Sequence, residues 1–333
     1  MSKIINVKER QSTDIPLVSV VCTAFNQRKY IKDTLEGFLI QETAFPVEFI
    51  VHDDASTDGT YELIREYELK NPHLFKPIYQ KENQHSKKTD VAKHFLYPRI
   101  RGKYVAICEG DDFWIDPLKL QKQVDFLEKN EDYGLVYTDI NRVNKDGAII
   151  DRDFFKSDLE PFCESFENYL LYAPFRAPCT WLFRKSVYKE RSEKYAVGDL
   201  PMLLDIVAHH KIHKLNDTTA HYRVLPNSAS HSTNIDAYYK FSKSGYQVQL
   251  DYAKKYEVSN DLIDAIKERF AIEFYNFSIA TGDLDQIKDT NKLLMHKKSL
   301  SLKFRIAILL SRYKFGRKIV RNRLIKRLGF THK

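Results

Sequence analysis

The sequence predicts an α/β fold: a mostly parallel sheet with covering helices, followed by a helical C-terminal extension. Three observations carry this. Apolar, β-rich runs alternate with segments of helical periodicity from residue 17 to residue 138. Three of the runs end in polar or acidic residues, as strands do when their carboxyl ends open on a cleft. After about residue 235 the pattern turns helical, with no internal repeat and no low-complexity linker. We therefore expect a first domain at 1–235 and an α-helical C-terminal region, ending in a basic amphipathic tail, at 236–333.

Residues 17–23 (Leu-Val-Ser-Val-Val-Cys-Thr) follow Pro16 and read as a buried strand. Residues 30–40 place Ile31, Thr34, Leu35 and Phe38 at helical spacing. A second strand at 47–51 runs into His52, Asp53 and Asp54. Ser56, Thr57, Asp58 and Gly59 then supply turn and capping chemistry for a helix carrying Leu63, Ile64 and Tyr67. A third strand is expected at 77–80 and a polar loop at 81–93. Residues 103–108 form the next strand. Pro117 opens a helix with Leu120, Val124 and Leu127 in one stripe, and 134–138 is again a strand. Further on, 177–183 reads as a strand leading into a short helix, 200–209 as a helix and 221–225 as a last strand. Helices are expected at 238–256, 260–281 and 284–295.

The chain of 333 residues is 43% hydrophobic and 13% aromatic, enough for one large core with an appendage or for two domains. Cys22, Cys108, Cys163 and Cys179 are widely spaced and form no C-x-x-C pair, which argues against a disulfide or zinc framework. The first residues hold no signal-peptide apolar region, and no apolar stretch approaches a membrane-spanning length. A cytoplasmic location is expected, with peripheral attachment to the inner face of the plasma membrane left open. The net charge of +8 hides an asymmetry. Residues 292–333 hold fourteen Lys and Arg and no Asp or Glu, so the remainder has 39 basic and 45 acidic residues, a net −6. A basic tail on an acidic body points to an anionic surface as the tail's partner.

The strand at 103–108 delivers Glu109, Asp111 and Asp112 within four residues. Crowded carboxylates repel and raise one another's pKa, so a cation is the simplest partner; a solvated loop is the plain alternative. Hard oxygen ligands suit Mg²⁺ or Mn²⁺ shared with a phosphate. The ends of the other two strands, Thr23 to Asn26 and Asp53-Asp54, would converge on the same cleft.

These three segments carry a resemblance. Val-Ser-Val-Val-Cys-Thr-Ala-Phe-Asn (18–26), Phe-Ile-Val-His-Asp-Asp-Ala-Ser-Thr-Asp-Gly-Thr (49–60) and Gly-Lys-Tyr-Val-Ala-Ile-Cys-Glu-Gly-Asp-Asp-Phe-Trp (102–114) together closely resemble the family-2 glycosyltransferases with a GT-A fold. The likeness runs over roughly residues 17–232. It implies an inverting enzyme that takes a nucleotide-sugar donor, a UDP-sugar above all, with Mn²⁺ or Mg²⁺. It assigns Thr23, Ala24, Phe25, Asn26 and Asp54 to the nucleotide base, and Asp111 to ribose and metal; for Asp54 a helix-capping carboxylate is the other reading. Asp112 would be a metal ligand, with Glu109 standing where many members have Asp, its contact open. His231 falls where relatives often place a third metal or diphosphate contact, though a structural histidine fits too. Asp199, in Gly-Asp-Leu-Pro-Met-Leu-Leu-Asp (198–205), matches the segment supplying the general base; an N-cap role fits it as well. Lys88, with Lys87, sits in a loop that could close over the diphosphate, or forms a merely solvated basic pair. Phe113 and Trp114 are candidates for a sugar wall, with a core role as the equal alternative, Arg176 to Thr180 for the acceptor site and Arg223 for a phosphate contact.

The implied acceptor is a glycan or lipid-linked glycan. The apolar and basic residues at 300–310 and 319–328 have the composition of an interfacial helix on an anionic membrane, or of a cap on the catalytic domain. Nucleic acid is not expected as a partner, since stacking aromatics are sparse there. A nucleotidyltransferase would need a glycine-rich loop after the first strand, which Thr23 to Arg28 lacks. A non-catalytic assembly protein is the other rival.

Overall fold

The computed structural model describes residues 3–9, 15–156, 165–189, 195–225, 232–294 and 301–330. In chain order the first elements are β1 (Ile5–Asn6), β2 (Val18–Ala24), α1 (Ile31–Leu39), β3 (Glu42–Thr43), β4 (Val47–Asp53), α2 (Thr60–Lys70), β5 (Ile78–Tyr79) and β6 (Tyr104–Ile107). There follow β7 (Phe113–Trp114), α3 (Lys119–Lys129), β8 (Tyr133–Val143), β9 (Ile149–Asp151), α4 (Phe166–Tyr172), β10 (Leu182–Arg184), α5 (Asp199–Val207) and β11 (Lys211–Arg223). The chain ends in helices α6 (Ile235–Lys255), α7 (Asn260–Thr281), α8 (Leu284–Leu294), α9 (Leu302–Ser311) and α10 (Lys314–Leu328).

Packing divides the chain into two compact units. The first comprises Met1–Glu160, Phe175–Ser192 and Asp205–Val224; the second comprises Pro161–Pro174, Glu193–Leu204 and Leu225–Lys333. The first unit is built on one sheet of order β5-β4-β2-β6-β10-β8-β11-β7, with β9 paired to β8. Strands β5, β4, β2, β6, β8 and β11 share one direction, and β10, β7 and β9 run against them. The predicted mostly parallel α/β sheet is thus the observed one. Its central strands are apolar on both faces because helices cover both. Phe38 of α1 stacks on Phe49 of β4 (centroids 5.2 Å apart) and tilts against Trp114 (4.9 Å).

Two strands are longer than their apolar runs. The segment predicted at 134–138 extends to Val143, because Asp139 is matched inside the fold: its Oδ1 accepts the Ile140 and Phe155 N–H groups, and Oδ2 lies 3.2 Å from Lys214 Nζ. The strand predicted at 221–225 begins at Lys211. Register shifts around Thr218 interrupt its alternation, which hid the first half from a period-2 reading. The expected loop at 81–93 is followed by short helical turns at Ala92–Leu96 and Tyr97–Arg99.

In the second unit, α6 to α10 share a core of Ile235, Tyr275, Ile279, Ala280, Ile287, Ala307, Val320, Leu324 and Ile325. Caps mark the helix starts: Asn234 accepts from the Asp236 and Ala237 N–H groups, Ser259 from Leu262 and Ser301 from Phe304. Arg321 of α10 is bound by both oxygens of Asp236 (3.1 and 2.8 Å) and by the Ala280 carbonyl.

Lys119 is wholly buried in the first unit. Its Nζ donates to Gln123 Oε1 at 2.7 Å and sits 4.4 Å from the Trp114 ring centroid. Burial pushes the ammonium pKa down to about 7. The unfolded chain therefore binds a proton that the folded chain does not between about pH 7 and the ordinary lysine range, so this residue makes stability rise with pH over that window. Lys119→Met removes a penalty on the order of 4 kcal/mol at pH 7, offset by about 1 kcal/mol for the Gln123 acceptor left alone. Urea unfolding of both proteins at pH 7 and pH 10 should show the variant ahead by about 2–3 kcal/mol at the lower pH, with the gap closing at the higher.

Candidate active site

Parallel pairing of β4, β2 and β6 brings three strand ends side by side. Ala24 is in register with Asp53, and Val21 with both Ile50 and Ile107. Beyond the ladder the backbone remains tied: the Asp54 N–H donates to Ala24 O (2.9 Å) and the Gly110 N–H to Thr23 O (3.0 Å). Thr23, Ala24, Asp54 and the 109–112 turn are thereby brought together, as the sequence predicts. The turn after β2 is braced as well. Asn26, at φ 53°, receives Thr57 N–H on its Oδ1 and donates its own N–H to Ser56 Oγ, both at 2.9 Å. Phe25 is left exposed beside it.

Asp54 is buried, and its carboxylate holds the next loop. Oδ1 accepts the Gln84 N–H at 2.7 Å and Oδ2 the His85 N–H at 3.1 Å. The loop carrying Lys88 is thus anchored on the proposed base contact. Lys88 itself is exposed at φ 57°, and Lys87 pairs with Glu82.

The 109–112 turn packs closely at Gly110. A Cβ there would collide with Gln27 Oε1 and lie 2.9 Å from Ile31 Cδ1 and 3.2 Å from Ala24 Cβ. Asp112 is 3% exposed; its Oδ1 accepts the Arg223 N–H at 2.7 Å, and Thr34 Oγ1 donates to its carbonyl at 2.6 Å. Desolvation, then Asp111 and Glu109, drive its carboxyl well above the ordinary range. Asp111 is half-buried; desolvation raises its carboxyl too, against the pull of Arg223.

Arg223 is the residue that sequence reasoning misplaced. Its side chain is buried, not presented to a phosphate. The guanidinium donates to the Asp111 carbonyl through Nη1 and to Asp33 Oδ2 through Nη2 (3.0 Å). It lies between the Tyr30 ring (4.6 Å) and the Phe113 ring (5.1 Å). A lone Arg at a strand end gave no sign of this, and nothing marked Asp33 as its partner. The 176–180 segment also differs from expectation, while Trp114 takes the core role that is its alternative reading. Trp114 is core, with its Nε1 donating to Cys179 O at 2.7 Å. Arg176 and Thr180 are buried, so they do not form an open acceptor wall. His231 lies outside the described residues.

Asp199 lies in the second unit and is the first residue of α5. Its Oδ1 accepts the Leu200 N–H at 2.9 Å. Desolvation raises its carboxyl above the ordinary Asp range in spite of the helix start and the backbone hydrogen bonds. Among the described residues, no three His, Cys, Asp or Glu side chains come together to hold a metal by themselves.

The family model described as Glycosyl transferase family 2 matches residues 19–192. The chain belongs to that family. It is 30% identical over 156 residues to TuaG of Bacillus subtilis, named for teichuronic acid biosynthesis, covering 47% of this chain and 59% of that one. It is 30% identical over 112 residues to WfaP of Escherichia coli, a UDP-Glc:alpha-D-GlcNAc-diphosphoundecaprenol beta-1,3-glucosyltransferase, covering 34% and 41%. The chain spans less than two thirds of the length of the curated relatives it matches. In fold it is similar to residues 1–349 of Staphylococcus aureus TarS in complex with UDP-GlcNAc, with TM-score 0.58, 17% identity and coverage of 95% and 93%. It is also similar to the mannosyltransferase PcManGT of Pyrobaculum calidifontis in complex with GDP-Man and Mn²⁺, with TM-score 0.53, 18% identity and coverage of 94% and 86%. The fold is the GT-A type expected from the sequence.

Proposed function

We propose that this protein is a glycosyltransferase that takes a nucleotide-sugar, a UDP-sugar first among candidates, and transfers the sugar with inversion. The acceptor is a hydroxyl of a surface polysaccharide or lipid-linked oligosaccharide. The observation that carries the donor half is the alignment of Thr23 to Asn26, Asp54 and Asp111-Asp112 along three neighbouring strand ends. The names of TarS's ligand and of WfaP support the UDP donor, and the names of TuaG and WfaP support the acceptor class.

In this reading the turn at 23–26 and Asp54 receive the base. Asp54 already accepts two loop N–H groups, yet a carboxylate has about four lone-pair sites, so a base N–H can share an oxygen. The 84–88 loop, fixed on Asp54, carries Lys88 toward the diphosphate. Asp111 would face ribose and metal; the Asp112 carboxylate accepts the Arg223 N–H on one oxygen and also meets the Cys179 thiol, so it would ligate with its remaining lone pairs. Hard carboxylates with raised pKa, Asp111 half-buried and Asp112 buried, fit a divalent cation such as Mn²⁺ or Mg²⁺, which binds through one or two carboxylates plus the donor's phosphates. When bound, it supplies charge stabilisation for the departing nucleoside diphosphate. Asp199 takes the acceptor hydroxyl proton as that oxygen bonds to the anomeric carbon. Its raised pKa makes it a stronger base than an ordinary Asp. The chain's first 235 residues form the catalytic domain in this reading.

A thermal-shift panel of nucleotides and nucleotide-sugars, with and without Mn²⁺, tests the donor reading. One UDP-sugar should raise Tm most, and Asp54→Ala should abolish that rise; no stabilisation by any nucleotide would overturn it. Asp199→Asn should keep the donor-induced shift and lose about 10²–10⁴-fold in kcat/KM. Transfer at the parental rate would remove Asp199 from the base role. Because the base must be ionised, kcat/KM should fall with decreasing pH through an apparent pKa above the ordinary Asp range.

A further inference from the structure

Helix α9 is apolar on two sides. Phe304, Ala307, Ile308 and Ser311 face the core of the second unit, and Phe304 stacks on Tyr275 at 5.4 Å. Leu302, Ile306 and Leu309, at spacings of four and three, fall on the opposite side, and Tyr313 follows just beyond the helix end. They are 74%, 47%, 57% and 67% exposed. Lys303, Arg305 and Arg312 flank this stripe and are exposed too. Phe315, Lys318 and Ile319 continue the mixture on α10. Over residues 301–330 there are ten Lys and Arg and no Asp or Glu.

From this we infer that the outer face of α9 lies on an anionic lipid surface, its aliphatic stripe among the acyl chains and its flanking cations at the headgroups. Charge selects this occupant. A second copy meeting the same face would set Lys303, Arg305 and Arg312 against like charges. A nucleic acid would match the cations but would bury Leu302, Ile306 and Leu309 against phosphates with no gain. An anionic bilayer satisfies both components of the face. No helix among the described residues is long and apolar enough to cross a membrane, so the contact is a surface one. The inference draws on the proposed lipid-linked acceptor only for what the membrane would supply.

The test is vesicle co-sedimentation of the full chain without nucleotide, so its outcome is independent of donor and acceptor. Phosphatidylcholine vesicles are compared with vesicles containing about one-third phosphatidylglycerol. The protein should sediment with the anionic vesicles and be released by salt. The triple variant Leu302→Gln, Ile306→Gln, Leu309→Gln should partition about tenfold less or weaker still, with unchanged Tm and nucleotide-induced shift. A second variant, Lys303→Glu with Arg312→Glu, should lose binding while keeping the stripe. Equal partitioning of either variant and the parent, or equal binding to both vesicle types, would overturn the proposal. So would a dimer in light scattering that the triple variant dissolves.

Discussion

Three carboxylates at the end of one strand would push each other apart, and one arginine holds that end together. Glu109, Asp111 and Asp112 follow β6 within four residues, and each added charge raises the cost of ionising Asp112. Arg223 answers from the end of β11. Its backbone N–H fixes the Asp112 carboxylate, and its guanidinium fixes the Asp111 carbonyl and Asp33. The antiparallel pairing of His221 with Phe113 delivers residue 223 to this place. A lysine could not replace it: the two guanidinium contacts diverge, and the planar group fits between Tyr30 and Phe113. The compensation is partial. The guanidinium is itself paired with Asp33, so its charge is shared among more acids than the three of the turn.

Much of the fold was legible because its strands are buried on both faces and its helices on one. The runs at 17–23, 47–51 and 103–108 became β2, β4 and β6 within a residue or two, and 260–281 is α7 without change. The miscalled regions share a physical cause. β8 and β11 carry polar residues whose partners are remote in sequence, such as Asp139 with Lys214, so hydropathy alone shortened both strands. Strand β10 has three residues and is inserted antiparallel between β6 and β8; no local pattern announces such a placement. It is set by tertiary pairing.

The site divides the same way. Asp54, Asp111 and Asp112 could be read from sequence because acids after a buried strand are rare unless matched. Their supports could not. Asp54 meets backbone N–H groups of residues 84 and 85, and backbone donors leave no side-chain signature. Arg223 looked like a ligand contact and serves the scaffold, as Trp114 does by the second of its two readings, because the long side chain that reaches a substrate can equally reach a neighbour. Asp199 was read from a motif whose alternative was a helix cap. The structure starts α5 there, yet desolvation outweighs the helix start in setting its proton affinity, so the two roles do not exclude one another.

The C-terminal helices show a choice that folding alone does not require. Where α9 and α10 turn on each other, the contact is made by small groups: a Cβ on Gly316 would come 2.9 Å from Leu310 Cα, and Ala307 and Ser311 are the buried positions of α9. The large aliphatic residues Leu302, Ile306 and Leu309 point outward. A helix selected only to cap a core does the reverse, because burying a Leu gains roughly 1.5–3 kcal/mol over leaving it in water. Holding three such residues at helical spacing on a surface flanked solely by cations forgoes that gain in the free protein. The arrangement becomes favourable once an apolar phase bounded by anions covers the face, and the charge of the tail selects which such phase it meets.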